Sequence, residues 1–167
     1  MGTIRATNIS HRVWQLTFAV SILAAVGWSA CGSDTPREYK DLFYLPQEQQ
    51  EERFKEFPLE KQVDVYTYAM YVEPPLTRYA TYLARNGKSV LPFLLTRLEA
   101  EKSDTAKAHL VYAFKEIHER SYSLRNEKEL VESLKRVVGN MTDEYRKKEC
   151  EQYLKAIEES PGFLSRP

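Results

Sequence analysis

The chain has 167 residues, with 24 Lys and Arg against 24 Asp and Glu, for a formal net charge of zero. That length suits a single domain. The even balance excludes the basic excess by which a protein holds nucleic acid or acidic headgroups.

Arg5 and Arg12 are the only charged residues before Cys31, and Val13 to Ala30 forms 18 residues without a charge. A short basic start followed by an apolar run is the pattern of a secretory signal. The run ends Gly27-Trp28-Ser29-Ala30-Cys31. It resembles the leader of bacterial lipoproteins, whose lipobox sets an aliphatic residue and two small residues before a lipidated cysteine. Trp28 stands where that family usually carries Leu. The resemblance implies a signal peptide over residues 1–30, a diacylglyceryl group on Cys31 with a further acyl chain on its amino group, and no other cofactor. Gly32 in place of Asp after the cysteine implies the outer membrane rather than the inner, with the domain facing the periplasm. Two alternatives stay open: cleavage after Ser29 to give a secreted product, and an uncleaved anchor, for which ~18 apolar residues barely reach across a bilayer. N-myristoylation fits poorly, because Ala6 stands where Ser or Thr is required.

Removing the leader takes away Arg5 and Arg12, leaving 22 basic against 24 acidic residues and a formal charge of −2. With Cys31 acylated, Cys150 is the sole remaining thiol, so no internal disulfide forms. Residues 31–45 mix Gly, Ser, Pro and charge without helical period and read as a lipidated, flexible tether. Residues 46–160 read as a row of helices between ordinary helix punctuation. The expected helices are Pro46–Phe57, Leu59–Val72, Pro75–Arg85, Ser89–Glu101, Asp104–Arg120, Glu127–Val138 and Asp143–Glu159. Asn86-Gly87 supplies a left-handed stop, and Asn126 with Glu129 makes a candidate capping box. Residues 161–167 read as a frayed tail. No segment alternates with period two, so the expected fold class is all-α.

A shift of 40 residues lays the fourth and fifth helices on the sixth and seventh. Val90, Leu91, Leu94 and Leu98 fall on Leu130, Val131, Leu134 and Val138; Leu110, Phe114 and Ile117 fall on Cys150, Leu154 and Ile157. Each set makes one apolar stripe per helix. Two helices per unit and a period near 40 resemble HEAT-like repeats, which stack antiparallel pairs so that neighbours bury one another's stripes. The resemblance covers Ser89 to Glu159 and implies a short α-solenoid that holds a partner; an irregular helical bundle is the alternative. In this alignment Cys150 takes the place of Leu110 and reads as a small buried residue.

No His-Glu-x-x-His, Cys-x-x-Cys, Gly-x-Ser-x-Gly or phosphate-binding glycine loop occurs. His109 and His118 lie nine residues apart on one helix, which turns them to opposite sides at ~100° per residue, so they share no metal. Asp143, Lys147, Glu151, Lys155 and Glu159 form an i, i+4 ladder expected on a solvated face. The first helix, with Glu48, Glu51, Glu52 and Glu56, carries too few apolar positions for a core element. Tyr66, Tyr68, Tyr71, Tyr79 and Tyr82 fall in the second and third helices, where rings serve either a core or a binding surface. Arg78, Tyr79 and Tyr82, beside Pro74-Pro75, are the candidate exposed binding patch.

These features point to a non-catalytic envelope lipoprotein that binds a protein or peptide or serves as a scaffold. The partners expected are an envelope protein or peptide, and the membrane through the lipid; nucleic acid is not expected. A periplasmic immunity-type inhibitor is one version of this reading. The opposing class is an enzyme, or an accessory subunit, acting on envelope polymers, which requires an inward histidine set beside carboxylates from another helix. A structural spacer or oligomer subunit is a third.

Overall fold

The computed structural model describes residues 35–163, and these form eight α-helices with no strand among them. The helices are α1 (Arg37–Phe43), α2 (Gln47–Lys55), α3 (Leu59–Ala69), α4 (Arg78–Ala84), α5 (Leu91–Ala100), α6 (Asp104–Arg120), α7 (Lys128–Gly139) and α8 (Glu144–Glu159), with a 3-10 turn at Gly87–Val90 leading into α5. The fold is all-α.

Local chemistry accounts for most of the boundaries. The first three helices each begin directly after a proline, Pro36, Pro46 and Pro58, whose φ lies between −51° and −55°. The ring presets φ, and its missing N–H costs nothing where no intrahelical acceptor exists. The Ser103 hydroxyl caps α6 by accepting from the Ala106 N–H, and Asp143 caps α8 by accepting from Tyr145 and Arg146. Gly87 takes the left-handed conformation expected of it, with φ +55°. α4 and α7 lack such a cap: Thr77 makes no side-chain cap for α4, and at α7 Asn126 does not cap, Glu127 occupies the cap position, and no side chain closes the first turn.

Two segments differ from their sequence reading. Arg37–Phe43 is helical where a tether was expected, because Tyr39 and Leu42 are buried and Tyr39 packs against the Phe57 and Tyr68 rings. The polar α2 is also a core element, since Phe54 is fully buried and Gln50 nearly so.

Contacts between helices follow one rule, apart from α3 on α6. Successive odd helices touch (α1 with α3, α3 with α5), and so do successive even ones (α2 with α4, α4 with α6, α6 with α8). Each odd helix also packs against the even helix that follows it. α7 joins the odd row through Glu99–Arg136 and Lys88–Glu127 ion pairs. Within a row the helices run parallel. Gln50 meets Arg78 and Tyr79 while Phe54 meets Tyr82, and Asp104 meets Thr142 and Asp143 while Tyr112 meets Tyr153.

The core lies between the rows, with Tyr66, Leu94, Leu110 and Phe114 fully buried. Six of the seven pairs forty apart share their burial: Leu91 and Val131, Leu94 and Leu134, Leu98 and Val138, then Leu110 and Cys150, Phe114 and Leu154, Ile117 and Ile157; the seventh does not, since Val90 is buried and Leu130 only partly so. α6 is the central element, packed on α3, α4, α5 and α8. Between its two ends, only Lys107, His109, Tyr112 and Lys115 are half-exposed, and the rest are buried.

Candidate functional site

Cys31 lies outside the described residues. The other three sequence candidates do not form a surface patch. Tyr79 is fully buried, and Tyr82 is 6 % exposed. α4 sits between α2 and α6 in the even row with α3 over it, so Tyr79, Ala80, Tyr82, Leu83 and Ala84 are all covered. The Tyr79 ring meets the edges or faces of Phe43, Phe54 and Tyr82 at centroid distances of 5.2, 5.5 and 5.4 Å.

Polar groups there serve the packing. The Tyr79 hydroxyl and Arg78 Nε both donate to Gln50 Oε1, at 3.1 and 2.9 Å. Gln50 Nε2 in turn donates to the Phe43 and Leu45 carbonyls, at 3.1 and 2.6 Å. This buried amide therefore ties the α1–α2 turn to α4. Burial pushes the Tyr79 and Tyr82 hydroxyls above the usual phenol range, so both stay neutral donors. The patch is a core joint.

What is half-exposed instead is a cluster between α6 and α8, flanked by the end of α3. Its centre is His109, whose ring meets the Tyr71 ring edge-on at 5.8 Å. The His109 carbonyl accepts from the buried Tyr66 hydroxyl at 2.5 Å. Burial, and then the positive field of Arg146, lower the His109 pKa against an opposing pull from Glu149. The imidazole is therefore neutral at pH 7. Its Nδ1 is buried without a hydrogen-bond partner.

The α8 side supplies Arg146, Glu149 and Tyr153 at i, i+3 and i+7. Arg146 and the Tyr153 hydroxyl donate to the two Glu149 oxygens at 2.9 and 2.8 Å. Burial pushes the Glu149 pKa up, but these two hydrogen bonds outweigh it and hold the carboxyl ionised. The Tyr112 and Tyr153 rings tilt against each other at 5.6 Å. Burial and the nearby Glu116 charge push the Tyr112 hydroxyl up to about 12. Glu116, nearly buried, accepts from Arg120 Nε at 2.5 Å and pairs with Lys115.

The sequence shows these residues only as scattered polar positions. Finding them requires knowing that α6 and α8 lie parallel in a register near +40, which sets His109 beside Glu149.

His118 is elsewhere, as the helical spacing requires. It is fully buried, and its Nδ1 accepts from the Leu124 N–H at 3.0 Å. Gly162, with φ +71°, lies so close over this ring that a Cβ there would sit 2.9 Å from His118 Cε1 and 2.7 Å from the Ser123 hydroxyl. Residues 161–163 are thus laid against the end of α6 rather than frayed. Cys150 is buried, and burial pushes its thiol up to about 12. Of the expected ladder on α8, Lys155 and Glu159 pair at 3.9 Å, while Lys147 turns to the Gly139 carbonyl.

Among the described residues no group of three or more His, Cys, Asp or Glu side chains is placed to hold a metal, and no helix is long and apolar enough to cross a membrane. No protein-family model matches the chain, and neither a curated protein nor a solved structure does.

Proposed function

We propose that the protein is an envelope lipoprotein, anchored through acyl chains on Cys31, whose HEAT-like helical domain binds a protein or peptide without catalysis. The observation that carries this reading is the basic, then apolar leader ending in Ser29-Ala30-Cys31. Two rows of stacked helices suit it, because such arrays present long side faces to partners. The face best built for contact is that of α6 and α8, where the half-exposed Tyr112 and Tyr153 offer large area with few rotors to freeze.

The enzyme reading draws on one specific observation, the placing of Glu149 near His109 across two helices. In a histidine–carboxylate pair the imidazole is the base and the carboxylate orients it through a hydrogen bond. Both Glu149 oxygens are already committed, to Arg146 and Tyr153. The buried His109 Nδ1 therefore has no carboxylate to orient it, so the arrangement supports binding better than catalysis.

The test is the intact mass of the protein isolated from bacterial membranes, beside a Cys31→Ser variant. A chain starting at Cys31 with acyl mass added, and lost in the variant, is the expected result. An acyl-free or unprocessed chain in both refutes the anchor.

A further inference from the structure

The helix at Arg37–Phe43 changes where the domain stands if Cys31 is acylated. Only six residue steps separate Cys31 from Arg37, which span no more than about 22 Å when fully extended. Acylation would therefore keep the start of the first helix within about 22 Å of the membrane.

α1 also has a face to offer. Tyr39, Leu42 and the partly buried Phe43 turn inward. Glu38 turns to α3, pairing with Lys61 at 2.9 Å. Arg37, Lys40, Asp41 and Tyr44 form the opposite stripe, all exposed. That stripe carries two cations and one anion, a net +1. Tyr44, at its end, is 88 % exposed, the highest exposure among the large hydrophobic side chains described. Tyrosine beside Lys and Arg is the composition that settles at a membrane interface, the ring at headgroup level and the cations on lipid phosphates. The acidic excess of this end sits on α2 and its C-cap instead, in Glu48, Glu52 and Glu56.

We infer that the Arg37–Lys40–Tyr44 stripe of α1 rests on the phospholipid surface and stands the two helical rows end-on, with α8 held away from the membrane. The inference rests on acylation of Cys31. It gives the lipid anchor a second, weaker contact that fixes orientation, so that the α6–α8 face is presented to the periplasm. α2 and α8 are three packing steps apart at ~8–10 Å each, so about 24–30 Å separates the two ends.

The chain allows a clean test. Its two tryptophans, Trp14 and Trp28, both lie in the leader, so a processed chain is free of tryptophan. Tyr44→Trp and Tyr145→Trp each install one indole probe, the second at an exposed position in the first turn of α8. The full-length variants are purified as acylated protein and reconstituted into phosphatidylethanolamine–phosphatidylglycerol vesicles carrying a headgroup nitroxide. The indole at position 44 is expected to be quenched about twofold or more, since interfacial side chains sit ~5–10 Å into the headgroup boundary. The indole at position 145 is expected to be unaffected.

Adding Arg37→Glu and Lys40→Glu to the Tyr44→Trp chain should relieve most of the quenching. An unquenched probe at position 44, or equal quenching at both positions, overturns the end-on contact. Intact mass on the same samples separates that failure from failure of the anchor, because an acyl-free mass refutes the lipoprotein reading itself.

Discussion

Replacing Tyr79 decides whether α4 is core or surface. In Tyr79→Ala, a fully buried ring is lost along with its contacts to Phe43, Phe54 and Tyr82. Large aromatic-to-alanine truncations in a core cost about 3–5 kcal/mol, because the cavity closes only in part. A domain has only about 5–15 kcal/mol of stability in total, so the variant should be severely weakened. At roughly 4 °C per kcal/mol for a domain of this size, the thermal midpoint should fall by about 12–20 °C.

Tyr79→Phe isolates the hydroxyl. Gln50 Oε1 keeps its hydrogen bond from Arg78, so no buried acceptor is orphaned, and the cost should be about 0.5–1 kcal/mol, or ~2–4 °C. Circular-dichroism melts of the domain, with urea titrations to confirm an unchanged m-value, read both. If Tyr79→Ala melts within about 2 °C of the parent, less than one kcal/mol, the ring does not pack as described and the joint between α2 and α4 is refuted.

Asp104 accepts from the Thr142 and Asp143 N–H groups and the Thr142 hydroxyl at 2.7, 2.9 and 3.0 Å. The Asp143 N–H first, then Lys107 and Thr142, depress its pKa. Its stabilising effect is full above the ordinary aspartate pKa of ~3.9 and fades as pH falls toward the lowered folded value; Asp104→Asn should cost about 1–3 kcal/mol at pH 7 and flatten the loss below about pH 4. Burial lowers the His118 pKa, so the unfolded chain takes the proton first and stability drops as pH falls below about 6.5. His118→Gln should lessen that drop in melts run from about pH 7.5 to 5, with His109, also lowered, accounting for part of the remainder. The Tyr112→Ala, Tyr153→Ala double variant should keep the parent's helix content yet lose affinity for a partner identified by cross-linking at this face; unchanged affinity would remove the face from the binding reading. Cys150 should resist a thiol reagent in the native protein and react on denaturation, since its thiol is buried and protonated; fast native labelling would contradict that burial.

Much of the helical order is legible in the sequence because helix ends are written in local chemistry. Pro46 and Pro58, Asn86-Gly87 and Ser103 each act within a few residues of where they stand. The +40 spacing of apolar stripes likewise needs no tertiary knowledge. α1 escapes such reading, since seven residues hold only Tyr39 and Leu42 as buried anchors, set behind Gly, Ser and Pro. Burial all round a helix is also invisible to periodicity. Tyr79 and Tyr82 lie on α4, which neighbours cover on several sides, so their distance from an apolar stripe says nothing about solvent. The His109–Glu149 cluster depends on two helices meeting in register, and neither helix alone encodes it. Ala80 and Ala84, small residues that let neighbouring helices come close, are the signal in the sequence that α4 is an interior element.

The two ends of the rows bear on the choice between a spacer and a binding module. A stack that grows by adding helix pairs leaves an apolar face at its growing end, and a finished stack covers that face with polar side chains. On α8, Lys148, Glu151, Gln152, Lys155, Glu158 and Glu159 are all exposed, and on α2 and its C-cap so are Glu48, Gln49, Glu52, Arg53, Lys55 and Glu56. Docking another copy onto either surface would strip water from these charges without an apolar stripe to offset the cost. The α2 and α8 ends of the even row are therefore polar, which disfavours head-to-tail assembly through them. Under the proposed binding function, contact with a partner falls to the sides of the rows. There the α6–α8 face combines paired tyrosine rings with an ordered Arg146–Glu149–Tyr153 set, held on helices rather than on loops.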